Sequence, residues 1–274
     1  MAFKLFDYQS SGKGVSKSAP QKKPFFKYWE IFGRKFWKLI ELNMLYVLFC
    51  IPIITFGPAT AALTHVMRKF ILEQPCFVFD EFFTAFKKNF KQSVFIGIVD
   101  VIMIVSVWIA CFQFLMNESL PDGSLVFICI MICCATLVFI MHFYIYLEIV
   151  ALNLSIGSIH KNAVFLVFLG VKRNFIALII NLVIISLIVL FLPFSVFAVI
   201  FLPLSLMCFT TTFICYPVIQ KYIVNPYYEE RGERNPELGP ITEEDIAENA
   251  VFVDRGGSEK EIKAAPKAHG KVIK

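Results

Sequence analysis

Three carboxylates interrupt otherwise apolar stretches of this chain: Glu41, Asp100 and Glu148. Asn43, His142 and Asn181 lie in stretches of the same kind. A carboxylate surrounded by aliphatic residues is costly to keep charged, so such a group points by default to a proton or cation path. The competing reading is pairing or snorkelling: all three acids sit toward the inner face, where Arg34, Lys35, Lys38, Arg68 and Lys69 could neutralise them. Asp100 is the strongest functional candidate because it is the deepest, about 10 Å beyond Ser93 at 1.5 Å per helical residue.

A second group can do local chemistry through its backbone. In "CIPIITFGPATAAL", Pro52, Thr55, Gly57 and Pro58 end one apolar run and begin another. Proline in the first turn of a helix and a permissive glycine beside it predict a tight turn at the outer leaflet, with the free N–H groups of the next helix capped by Thr55 or exposed to a ligand. Ala59, Ala61 and Ala62 are small enough to let that helix lie close to its neighbours.

The elements that position these residues follow from composition. The chain of 274 residues is 58% hydrophobic, contains 31 Phe and is only 17% charged, well below the roughly 25% charged residues of soluble domains. No Lys or Arg occurs between Lys91 and Lys161 or between Arg173 and Lys221. Apolar runs of that length read as membrane spans. The expected fold is all-α: a polytopic helical membrane protein with about six membrane segments, near 37–56, 58–71, 93–116, 124–150, 175–192 and 194–219. The second of these is a short return helix.

The basic residues fall in four clusters: 1–38, Arg68 to Lys91, Lys161 to Arg173, and Lys221 onward. The positive-inside rule places all four in the cytoplasm. Three out-and-back hairpins satisfy it, the second turning in "NESLPDGS" and the third at Pro193 or Pro203. Localisation in the inner membrane with both termini cytoplasmic follows, with residues 1–24 as a cytoplasmic N-terminal segment and 25–221 as the helical membrane domain. Residues 222–274, charged and rich in Gly and Pro, read as a largely disordered cytoplasmic tail.

Within this frame, Phe79, Phe82, Phe83, Phe86 and Phe90 share one helical face while Lys87, Lys88 and Lys91 project away, so 79–91 reads either as an interfacial amphipathic helix or as a face packed on other spans. The string "FKKNF" at 86–90 echoes "VKRNF" at 171–175, a thin sign of internal repetition. The eight cysteines fit no paired-ligand spacing and read as small packing residues. The four histidines are scattered, and no nucleotide-binding, zinc-protease or nucleophile-elbow motif is present, so no catalytic, cofactor or metal residues are expected and the protein reads as a non-enzyme. The lipid bilayer is the implied partner, and nothing points to nucleic acid.

The strings "LFDYQSSGKGVSKSAP", "FGRKFWKLIELNMLYVLFCIPIITFGPATAAL", "FFTAFKKNFKQSVFIGIVD" and "IHKNAVFLVFLGVKRNF" resemble the YesL-like family of bacterial membrane proteins, a domain of unknown function, over roughly residues 4–220. The resemblance implies an accessory or regulatory role in bacterial carbohydrate utilisation, with a sugar ABC-type transporter as the partner met through the cytoplasmic face. It supplies no catalytic residues. The alternative from the residues themselves is an autonomous transporter or channel using the intramembrane carboxylates.

Overall fold

The computed structural model describes residues 23–116, 124–233 and 235–238. The N-terminal segment to residue 22, the turn in "NESLPDGS" and the tail from 239 lie outside the described residues. Within them the chain is helical and forms no strand. The elements are α1 (Pro24–Cys50), α2 (Phe56–Ile71), α3 (Val78–Met116), α4 (Ser124–Ala151), α5 (Ile156–Leu169), α6 (Val171–Leu190), α7 (Ser195–Phe201), α8 (Pro203–Ile219) and α9 (Asn225–Glu230). Among the described residues four stretches are long and apolar enough to cross a membrane: Val78–Ala110, Leu125–Ala151, Val171–Leu190 and Pro203–Glu230. The other two expected segments correspond to the second part of α1 with its turn and to α2, neither of which is among these four.

The chain divides into two compact units, Met1–Phe36 and Trp37–Lys274. In the first, helical spacing lines up an aromatic row: Tyr28 stacks on Phe32 at 6.4 Å, while Phe25 and Trp29 at 6.4 Å and Phe32 and Phe36 at 5.7 Å meet edge to face.

In the second unit, α2 runs antiparallel to the first half of α3. Lys69 Nζ donates to Glu81 at 2.5 Å and His65 Nε2 lies 3.2 Å from the same carboxylate, which ties the end of α2 to the start of α3. At the other end of α2, Gly57 rests against Ser93 and Gly97. A methyl group on Gly57 would fall 1.9 Å from the Ser93 carbonyl oxygen, and one on Gly97 would fall 2.5 Å from the Gly57 backbone. This contact changes the expectation for the opening turn. Gly57 lies within the first turn of α2 and is needed for close backbone approach, where the sequence suggested a conformational cap. The turn also packs beside the beginning of the 93–116 segment.

The expected interfacial helix 79–91 and the span 93–116 form one continuous helix of 39 residues. Its phenylalanine face is divided: Phe82 is buried and, with Phe83 and Phe86, packs on Phe49 at 5.1 to 6.3 Å, while Phe79 and Phe90 remain exposed. Lys87 Nζ sits 4.2 Å over the Phe83 ring. Farther along, Ile98, Ile102, Val105, Trp108 and Phe112 of α3 and Leu125 to Phe127 of α4 are exposed, the outward apolar surface that lipid contact requires.

One helix was not anticipated. Residues 156–169, read as part of a basic connecting stretch, form α5, whose N-terminus is capped by Ser155 Oγ accepting from the Ser158 N–H at 3.3 Å. Gly170 separates α5 from α6. Consequently "VKRNF" opens a new helix, whereas "FKKNF" lies inside α3, and the two strings do not begin equivalent elements.

The third hairpin is interrupted at both prolines that could mark it. α6 ends at Leu190, a turn containing Pro193 leads into the short α7, and Leu202 breaks the helix again before Pro203 starts α8. α8 then continues past the expected boundary at 222, through a π-helical turn at Gln220–Val224 into α9. That widened turn follows Pro217, which lacks the N–H an α-helical ladder needs.

Replacing Gly57 or Gly97 with Ala forces a methyl group onto backbone rather than onto a yielding side chain. The expected cost is at least the ~1–3 kcal/mol of ordinary overpacking, read as a lowered melting temperature of the detergent-solubilised protein. Gly157→Ala, where a methyl group meets nothing within 4 Å, should leave the melting temperature unchanged or slightly raised.

Candidate functional site

Between α2, α3, α4, α6 and α8, with Tyr46 contributed by α1, lies a cavity of about 290 Å³. That volume is at the lower edge of the ~300–1,000 Å³ typical of small-molecule pockets. Its lining is mostly aliphatic and aromatic, with residues such as Phe56, Leu63, Met103, Phe143 and Met207.

One polar cluster breaks this surface. Asp100 of α3 is 4% exposed. Its Oδ2 accepts from the Tyr146 hydroxyl at 2.6 Å, and its Oδ1 faces His142 Nε2 in an ion pair. His142 Nδ1 lies 2.7 Å from the Val138 carbonyl oxygen. A carbonyl only accepts, so Nδ1 must carry hydrogen. Nε2 and Oδ1 would therefore meet lone pair to lone pair unless a proton lies between them. The pair holds one proton, most simply as imidazolium and carboxylate.

The remaining polar groups of the cavity are weaker and largely satisfied. The Tyr46 hydroxyl lies 3.1 Å from Thr60 Oγ1, which bonds the Phe56 carbonyl at 2.8 Å. Asn181 Nδ2 donates to Thr211 Oγ1 at 2.9 Å and to the Ala177 carbonyl at 2.8 Å.

The other two carboxylates are elsewhere. Glu148 is fully buried but faces Asn162 of α5, whose Nδ2 donates to it at 3.3 Å. Glu41 is exposed on α1. Neither lines the cavity. His142 and Tyr146 were the partners that mattered for Asp100; their i, i+4 spacing puts them on one face of α4, a signal present in the sequence.

The turn residues play structural parts. Thr55 does not cap α2: its hydroxyl lies 2.6 Å from the carbonyl oxygens of both Phe49 and Pro52, closing the end of α1. Pro52 precedes a single 3₁₀ turn, and Pro58 sits in the first turn of α2, where its missing N–H is harmless.

A second polar centre lies where α2 ends. Arg68 forms an ion pair with Glu237, and its Nε donates to the Tyr216 hydroxyl at 2.6 Å. That hydroxyl lies 2.6 and 2.7 Å from the two Glu237 oxygens, and Gln220 Nε2 donates to one of them at 3.0 Å. Asn235 orders the segment by accepting from the Glu237 N–H at 2.9 Å. A piece of the expected disordered tail is thus anchored to the bundle, beside a 370 Å³ pocket that includes Leu152, Ile223 and Tyr228. Burial pushes the Glu237 carboxyl up, but Arg68, Tyr216 and Gln220 outweigh it and hold the group below the ordinary carboxylate range.

Among the described residues no group of three or more His, Cys, Asp or Glu is placed to hold a metal ion. The buried polar interior, the outward apolar surface and the four long apolar helices define a multi-pass helical membrane protein. Residues 39–111 match the model of a family described as "Protein of unknown function, DUF624". No curated protein and no solved structure matches the chain.

Because the folded pKa of Glu237 is depressed, its contribution to anchoring is present above the ordinary value of 4.5 and is lost as pH falls through the folded value. Hydrogen exchange of residues 235–238 should show protection at pH 7 that declines on acidification below about 4.5. Glu237→Gln should remove that protection at pH 7.

Proposed function

We propose that this chain is a YesL-like inner-membrane protein with both termini cytoplasmic, that it is not an enzyme, and that it serves bacterial carbohydrate uptake as an accessory or regulatory component. The link to carbohydrate uptake rests on the resemblance of residues 4–220. The exposed Lys87, Lys88 and Lys91 of α3 support a cytoplasmic surface on that side, where a sugar ABC-type transporter would be met.

The observation that carries the accessory reading is the make-up of the cavity. A sugar has a hydroxyl on nearly every carbon, and each one buried without a partner costs about 1–3 kcal/mol. This cavity offers one Asp–His–Tyr cluster within aliphatic and aromatic walls, and its other polar groups are few and largely engaged. It suits a small, largely apolar ligand and not a sugar in transit. Purification in mild detergent after crosslinking should recover a sugar-importer subunit with the protein. Recovery of the crosslinked protein alone overturns the accessory reading.

A second reading is favoured by the proton held on the cavity wall: an autonomous transporter or channel working through Asp100. Proteoliposomes should then show a proton-dependent solute flux that Asp100→Asn abolishes. Liposomes with no flux above the lipid background remove this reading.

A further inference from the structure

The cavity's electrostatics limit what it can accept. Asp100 and His142 together are neutral while they share their proton, and Tyr146 stabilises the carboxylate through Oδ2. Loss of that proton leaves one net negative charge in aliphatic and aromatic surroundings. The other ionisable groups on the lining are Tyr46 from α1, Tyr146 from α4 and Cys208 from α8. All of these are neutral or anionic, so none can supply the missing positive charge. α2 and α6 contribute only neutral polar groups to the lining, Thr60, Thr64 and Asn181. A positive charge can therefore be restored only from outside.

We propose that the cavity binds a small amphiphilic monocation, an ammonium group on an apolar body, and that this cation enters in exchange for the proton held between Asp100 and His142. The ammonium group takes the place of the imidazolium beside Asp100, against the faces of Tyr146 and Phe143. His142 becomes neutral, keeps its Nδ1–H on the Val138 carbonyl, and releases one proton to solvent. The apolar body fills the space lined by Leu63, Met103 and Met207. A neutral molecule of the same shape can occupy the space but displaces no proton.

This inference rests on the reading of the cavity as a ligand site, and the two can fail separately. The full-length protein in detergent is titrated calorimetrically with benzyltrimethylammonium, a permanent cation, and with neopentylbenzene, its neutral isostere, in buffers of different ionisation enthalpy. The expected result is release of one proton per cation bound, with cation affinity rising about tenfold per pH unit while the pair is protonated. The neutral isostere should bind with no proton release and no pH dependence. Asp100→Asn should lose cation binding and retain neopentylbenzene, which also shows that the variant is folded. Cation binding without proton release, or equal cation affinity in Asp100→Asn, overturns the exchange while leaving the ligand site standing. If neither compound binds at any pH, the ligand site itself fails and the exchange with it.

Discussion

Wherever a helix is broken in apolar surroundings, its freed N–H and C=O groups must find partners inside the protein, because lipid offers none. The gap between α7 and α8 shows how this chain meets that constraint. Asn43, reaching over from α1, donates from Nδ2 to the carbonyls of Val199 and Ile200, each at 2.8 Å, and accepts at Oδ1 from the Ser205 N–H at 2.7 Å. One side chain thus closes the C-terminal end of one helix and the N-terminal end of the next. Ser195 Oγ donates to the Ile188 carbonyl at 2.5 Å, and Thr55 does the same service for α1. The bonds of Asn43 hold the second part of α1 against the α7–α8 break and so set the position of Tyr46 on the cavity wall.

The second determinant is the backbone contact of Gly57 with Ser93 and Gly97. It draws α2 into the middle of the bundle, where Ala59, Ala61 and Ala62 are all fully buried. With α2 so placed, its Thr60 and Thr64 face the same space as Asp100, and its far end delivers Arg68 to Tyr216 and Glu237. The close approach at one end of α2 and the ion pair at the other are therefore parts of one placement. Tyr144 plays a comparable part on the other side: its hydroxyl bonds Asn174, whose Nδ2 reaches the Val167 carbonyl at 2.9 Å across the Gly170 break.

Much of this was legible in the residues. The apolar runs of α3, α4, α6 and α8, the break at Pro52 to Pro58, the short helix after it and the depth of Asp100 all follow from hydropathy, proline placement and the cost of a buried charge. What was misread shares one physical cause: local pattern does not report what lies across a contact. The phenylalanine face of 79–91 looks alike at every position, yet Phe49 covers only part of it. Gly57 has the same sequence signature as a cap or as a contact point. Glu41, Asp100 and Glu148 differ in the sequence only by depth, and nothing local says that Asp100 alone of the three lines the cavity.

The sequence by itself determined that this is a helical membrane protein, because unbroken apolar runs of about 20 residues, with the charges confined to a few clusters, satisfy their backbone in lipid as helices, whereas a barrel needs short alternating segments. It also determined which residues are expensive to bury. Tertiary structure alone decided which of them meet: Asp100 with His142 and Tyr146, Arg68 with Glu237 from 169 residues away, Asn43 with a helix break more than 150 residues later. Such pairings depend on crossing points where glycine and alanine allow backbones to touch, and a crossing point belongs to two helices at once.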